Sequence, residues 1–186
     1  MRPQTIGPAL AGCDAAVFLV HAMEQGHQRD YPAREQASAT AFVEAAARAR
    51  LQRIVYLGGV MPTTGPSRHL RSRQRTGEIL RGGAVETIEL RAAIIIGAGS
   101  ASWRMVRDLA RRLPVMIVPR WLHHISYPVA IEDVVFAIVA ALALPPGGSR
   151  IYDLPGAERL AYRDLLLRTA SAMGHRRDRL GVPIVT

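Results

Sequence analysis

Three short, largely apolar runs constrain this chain most: AAVFLV at residues 15–20, RIVYL at 53–57 and TIELRAAIII at 87–96. Between them, apolar residues return every three or four positions. Runs without a polar alternation suit strands covered on both faces, and parallel strands of that kind are joined by crossover helices rather than by hairpins. The pattern predicts helices over 33–49, 70–81, 103–113, 132–144 and 162–173, with further short strands over 115–118 and 151–154. The punctuation agrees, since Gly82-Gly83, Pro114, Pro145-Pro146-Gly147-Gly148 and Gly174 each follow a helical stretch. The implied architecture is α/β, a parallel sheet between two helical layers in a single domain spanning 1–186.

At 186 residues with 49% hydrophobic and 21% charged residues, the chain has the composition of a globular domain with a sizeable core. The apolar run at 134–144 is too short to cross a bilayer, and Asp14 interrupts the N-terminal apolar stretch, so no membrane span or secretory signal is expected. Cys13 stands alone, which rules out an intrachain disulfide and makes the cytoplasm the default compartment. All 24 basic residues are Arg, giving a net charge of +9 and a pI near 11.0. A basic balance invites a nucleic-acid reading. Arginine is spread over most polar helix faces, however, and only 5% of residues are aromatic, so no stacking platform accompanies the charge. No His-Glu-x-x-His occurs and His123-His124 lacks a third ligand at metal spacing, so no metal is expected.

From Phe42 to Ser100 the order is a helix VEAAARAR, a strand RIVYLGG (53–59), a basic helix HLRSRQRTGEILR (69–81) and a strand ELRAAIIIGAGS (89–100). That order resembles the middle of an NAD(P)-binding short-chain dehydrogenase/reductase of the atypical, epimerase-like or NmrA-like kind. The resemblance implies a Rossmann-like doubly wound sheet, an NAD(P) cofactor with NADP slightly favoured, and a small-molecule substrate. In that family the strand usually ends in a catalytic Ser and the next helix carries Tyr-x-x-x-Lys. Here Gly58 and Gly59 end the strand, His69-Leu-Arg-Ser-Arg73 stands in the Tyr-x-x-x-Lys register, and the chain has no lysine.

Hydride transfer needs a proton-transfer group beside the reacting oxygen and a group that fixes the cofactor ribose. His69 and Arg73, four apart on a helix, project from one face and could fill those roles. The alternative is a solvated basic helix face. By the resemblance, Glu35 takes the register of an Asn or Asp near the start of the preceding helix. A first-turn carboxylate is the competing reading. The resemblance further places Val20, His21 and Ala22 along the cofactor cleft, Leu57, Gly58, Gly59 and Arg73 at its middle, and Ala92, Ala93 and Ile94 near the nicotinamide. Gly97-Ala-Gly99-Ser approximates a dinucleotide fingerprint, but Ser102 replaces its third glycine. It reads instead as a tight turn with Ser100 or Ser102 as a helix cap.

Also by the resemblance, 15–20 matches the fourth strand of a complete relative, whose first third, including the Gly-rich phosphate turn, has no counterpart before Ala15. The segment 181–186 reads as the entry to a further strand or loop. The expected consequence is an exposed apolar edge at Ala15 to Val20 and self-association through it. Three functions fit: an oxidoreductase or epimerase, a non-catalytic nucleotide-sensing module of the NmrA-like kind, or a truncated product that binds no cofactor.

Overall fold

The structure, a computed structural model, describes residues 3–20, 31–62, 65–112 and 120–174. Its elements run α1 (Pro3–Leu10), β1 (Ala15–Phe18), α2 (Tyr31–Arg48), β2 (Arg53–Gly59), α3 (Arg68–Arg81), β3 (Glu86–Ala92), β4 (Ile95–Ile96), α4 (Ala101–Arg112), a 3-10 turn (Arg120–His123), β5 (Ile125–Ser126), β6 (Val129–Ala130), α5 (Ile131–Ala143), β7 (Arg150–Leu154), β8 (Leu160–Ala161) and α6 (Tyr162–Ala172). They form two compact units, one of Met1–Ala92 with Val135–Leu154 and the other of Ala93–Val134 with Pro155–Thr186.

The first unit holds a four-stranded sheet in the order β1-β2-β3-β7, with every pair parallel. Alternate residues of a strand face opposite sides, so each strand contributes to two cores. On one face Phe18, Ile54 and Tyr56 pack with Ile6 and Leu10 of α1, Ala39, Phe42, Ala45 and Ala46 of α2, and Leu80 of α3. Phe18 meets Phe42 edge-on with ring centroids 4.9 Å apart, a favoured aromatic geometry. On the other face Val55, Ile88 and Leu90 pack with Ala137, Ile138, Ala141 and Leu142 of α5. Helices cover both faces of a parallel sheet, a Rossmann-like α/β architecture.

A buried arginine closes the amino-terminal end of this sheet. Arg53, 6% exposed, donates to the carbonyl oxygens of Ala141 at 3.1 Å and Leu142 at 3.0 Å, and to Glu86 at 2.7 Å. Its guanidinium thus takes up carbonyls that the last turn of α5 leaves without helical partners. Glu86 also accepts from Arg150 at 3.3 Å and from the Gly147 backbone N–H at 3.1 Å.

In the second unit β4 pairs in parallel with β6 and β5 pairs antiparallel with β8. α4 and α6 enclose a core of Ile94, Val106, Ala110, Leu122, Leu165, Leu166 and Ala170. Gly156 is obligatory here, because a Cβ at that position would lie 1.6 Å from the Pro128 carbonyl oxygen.

Two differences from the sequence reading are instructive. The run 87–96 is not one strand. β3 ends at Ala92, opposite the last residues of β2 and β7, and Ile95–Ile96 then pair with Val129–Ala130 in the second unit. Hydrophobicity continues across a change of partner, so composition could not show the break. α1 was not foreseen either. Only Ile6 and Leu10, one helical turn apart, are buried from it, too few to make a periodic signal. The predicted strand at 115–118 lies outside the described residues.

Candidate functional site

The carboxyl ends of parallel strands are where α/β sheets place ligands. β2 reaches that edge through Leu57, Gly58 and Gly59, and the register sets Gly59 beside Ala92 at the end of β3. α3 returns beneath the same edge. Its N-cap is Ser67, whose hydroxyl accepts from the Leu70 backbone N–H at 3.2 Å, satisfying one donor of the first turn. This fixes His69 and Arg73 one turn apart at the start of the helix.

Arg73 is folded onto the strand, where its guanidinium donates to the Leu57 carbonyl oxygen. The Tyr56 hydroxyl donates to the Arg73 carbonyl oxygen at 3.0 Å. Gly59 permits this approach, since a Cβ there would lie 3.1 Å from Leu70 Cδ2 and 3.5 Å from Arg73 Nε. His69 is half-buried, and its Nδ1 is buried with no hydrogen-bond partner among the described residues. Burial pushes its imidazole below the usual histidine range, the Arg73 charge pushes it further, and the Glu35 carboxylate opposes them.

Glu35 is not an exposed first-turn residue. It is 4% exposed and accepts a hydrogen bond from the hydroxyl of Ser72, itself buried. The pair ties α2 to α3, about one helical turn from His69 along α3. Tyr56 belongs to the same group, its phenol raised above its ordinary pKa chiefly by burial, with Arg73 acting against that shift. An open groove of about 420 Å³, lined by Pro32, Gln36, Arg68, Arg71 and Ser72, runs alongside.

Gly58 answers to another buried carboxylate. Glu89, 1% exposed, is held by Arg81 and, at 2.8 Å, by Arg91. A Cβ on Gly58 would lie 3.0 Å from Glu89 Oε1, and one on Gly77 would lie 2.4 Å from Glu89 Oε2. Both glycines admit this ion cluster between α3 and the sheet.

The structure therefore brings His69, Arg73, Glu35, Leu57, Gly58, Gly59 and Ala92 together in the first unit. Val20 is half-buried against the same core as Phe18. His21 and Ala22 lie outside the described residues. Ala93 and Ile94 belong to the second unit, where Ile94 is a core residue. Ser100 caps α4, accepting from the Trp103 backbone N–H at 3.2 Å and donating to the Ile95 carbonyl oxygen at 2.7 Å, so the Gly97-Ala-Gly99 segment is a strand-to-helix turn. Sequence reasoning missed Tyr56 and Ser72. Ser72 was visible only as a polar residue within the basic helix, and nothing local marked it as facing Glu35. Among the described residues no group of three His, Cys, Asp or Glu side chains could hold a metal, and no helix is long and apolar enough to cross a membrane.

No family model and no curated protein matches the sequence. Solved structures do match the fold. MoeE5 in complex with UDP-glucose and NAD is similar with a TM-score of 0.72 at 16% identity, over 91% of this chain and 65% of that one. A double mutant of DesIV, a dTDP-glucose 4,6-dehydratase from Streptomyces venezuelae with NAD bound, gives 0.75 at 16%, over 93% and 61%. The Bordetella bronchiseptica enzyme WbmG in complex with NAD and UDP gives 0.75 at 12%, over 98% and 64%. The likeness is one of fold, and this chain spans less than two thirds of the length of each of the three.

Proposed function

We propose that this chain contributes the nicotinamide side of an NAD(P)-dependent oxidoreductase or epimerase site acting on a small hydroxylated substrate, with His69 as the proton acceptor. The observation that carries the reading is the half-buried imidazole of His69 at the carboxyl end of a Rossmann-like sheet, whose Nδ1 is buried without a partner so that the other ring nitrogen would meet the substrate. The three structural neighbours described above all hold NAD, which supports the cofactor class.

The residues present fit one half of a dinucleotide. Arg73 and His69 supply a cation and an imidazole where a ribose and a reacting carbon would lie, but no Gly-x-x-Gly-x-x-Gly turn joins a strand to a helix among the described residues of the first unit. A bound nicotinamide would supply the acceptor for hydride from the substrate carbon. The chain's own part is to receive the hydroxyl proton. A lowered pKa leaves His69 neutral near pH 7, so it can take that proton and return it in the reverse direction. Glu35 and Ser72 act as positioning residues for it. Arg73, already anchored to Leu57, holds a fixed positive charge beside the imidazole.

A second reading has its own support. The same Arg73–Leu57 and Tyr56–Arg73 bonds also serve to lock α3 to β2, as a non-catalytic nucleotide-sensing module would require. Isothermal titration of the folded chain with NADH and NADPH tests both. Micromolar binding is expected, with turnover abolished in His69→Ala. Binding with no turnover, unchanged in His69→Ala and Arg73→Ala, favours the sensing module. No binding by a folded sample overturns both.

A further inference from the structure

We infer that the groove between the amino-terminal turns of α2 and α3 is a binding site for a small phosphate monoester. It is a concave space of about 420 Å³, walled by Pro32 and Gln36 of α2 and by Arg68, Arg71 and Ser72 of α3. That volume lies within the range of small-molecule sites. Its wall carries two guanidinium groups and an amide but no Asp or Glu.

The donors of this wall are oriented by the protein. Arg68 stacks on Tyr31, its Cζ 5.3 Å from the ring centroid, a contact that fixes the plane of the guanidinium fork. Arg71 donates through Nη1 to the Pro66 carbonyl oxygen, and its Nη2 has no partner among the described residues. A carbonyl orients a guanidinium without neutralising it. Elsewhere in the first unit, Arg48, Arg53, Arg75, Arg81, Arg91 and Arg150 each pair with a Glu, so Arg71 differs in turning an unneutralised fork to a concave surface. The half-buried Gln36 amide likewise makes no hydrogen bond among the described residues. Ser72 plays another part: its hydroxyl donates to Glu35, so it walls the groove without serving a ligand.

Charge sets the ligand class. α2 and α3, of 18 and 14 residues, both bring their amino ends to the groove, and each end is worth about half a positive charge. Together they offset Glu35, the buried carboxylate that Ser72 holds. Arg68 and Arg71 then face a ligand with two formal positive charges. A phosphate monoester carries about 1.5 to 2 negative charges near pH 7, and its oxygens match the arginine fork. A carboxylate or a phosphodiester carries one charge and would leave a guanidinium unmatched. His69 and Arg73 do not wall the groove, so a site here is independent of the nucleotide reading above.

The test is isothermal titration of the folded chain with phenyl phosphate, inorganic phosphate and benzoate. Phenyl phosphate is expected to bind with sub-millimolar affinity. Inorganic phosphate, which fills less of the groove, and benzoate, which carries one charge, should both bind more weakly. Arg68→Gln and Arg71→Gln should each weaken phenyl phosphate at least tenfold, the scale of one hydrogen bond to a charged group. Arg75→Gln is the control, because Arg75 is exposed on the same helix but pairs with Glu78 at 3.0 Å, outside the groove. Its affinity should match the parent's. All three arginines are exposed, so their replacement leaves the fold intact, which an unchanged melting temperature verifies. Equal weakening in all three variants would assign binding to the net charge of the chain and overturn the site. Undiminished binding in Arg68→Gln and Arg71→Gln, no binding of phenyl phosphate, or equal or tighter binding of benzoate or inorganic phosphate would overturn it too.

Discussion

The two ends of the first unit's sheet carry charge in opposite ways. At the amino end, Arg53, Glu86 and Arg150 are matched to one another, to the Gly147 N–H and to the carbonyls that end α5. The Arg53 hydrogen bond holds the Glu86 carboxyl below its ordinary pKa. At the carboxyl end, an imidazole with an orphaned nitrogen sits between the opposing charges of Arg73 and Glu35. A cluster in which charge meets opposite charge resists change even with the buried Nε atoms of Arg53 and Arg150 left without partners, while a group held between opposed fields responds to the loss of either. The first arrangement serves stability, and the second is the one the proposed proton transfer would use.

The sharpest way to break this contrast is at the amino end. Arg53→Met keeps most of the apolar stem but leaves Glu86 and the α5 carbonyls short of a donor in a nearly dry site. A loss of about 3–5 kcal/mol in urea unfolding is expected, because removing one partner strands the other charge. Nucleotide titration of the fraction that remains folded should give the parent affinity. A loss below about 1 kcal/mol, the scale of an exposed pair, would show that water already supports this end.

Gly77→Ala probes the ground between the two ends. An Ala for Gly in a helix ordinarily stabilises by about 0.5–1 kcal/mol. Here the new methyl would meet Glu89 Oε2 at 2.4 Å and Arg81 Nη1 at 2.9 Å, and Glu89 cannot yield without parting from Arg81 or Arg91. A destabilisation of about 1–3 kcal/mol is expected from overpacking, read from the shift in denaturation midpoint. A stabilised variant would mean that the cluster rearranges freely.

At the carboxyl end, Ser72→Ala removes the hydroxyl that Glu35 accepts from. The stability cost should be smaller than for Arg53→Met, about 1.5–3 kcal/mol for a hydrogen bond to a charged group. Its informative readout is kinetic or electrostatic: if Glu35 and Ser72 position His69, the pH profile of any turnover moves, whereas a purely structural tie leaves the profile in place.

How far the sequence foretold this contrast differs between its parts. The apolar runs at 15–20 and 53–57 located β1 and β2 because a doubly covered strand has no polar alternation to blur it. His69 and Arg73 were recoverable because both lie on one helix, where spacing alone gives a shared face. Arg53 was read only as the start of a strand, since its partners at 141 and 142 are far away in sequence and present backbone atoms, which carry no residue signature. Glu35 was placed by register, but its burial against Ser72 depends on how α2 and α3 pack, which no local pattern records. The edge position of β1 followed from the resemblance, which left that strand without its neighbour. The exposed residues of α5 did not, because the run at 134–144 reads as uniformly buried, whereas Val135, Phe136 and Val139 face away from the residues that pack on β2 and β3.

The last test works through protons. With its pKa below the ordinary 6.5, His69 binds protons more readily in the unfolded chain than in the folded one. Stability is therefore fully present above about pH 6.5 and falls as pH drops through that value toward the lowered folded pKa. Glu86 acts in the same direction in a more acid window, its contribution present above its ordinary 4.5 and lost as pH falls through its depressed folded value. Urea unfolding at pH 5, 6, 7 and 8 should show a decline on the acid side of pH 6.5 that His69→Asn flattens while Glu86→Gln does not. Histidine titration by NMR separates the two fields around the ring. Glu35→Gln removes the one that favours imidazolium and should lower the His69 pKa further, while Arg73→Gln removes the one that opposes it and should raise it. A pKa that moves in neither variant would mean that burial alone sets it, and the contrast between the two ends of the sheet would lose its electrostatic basis.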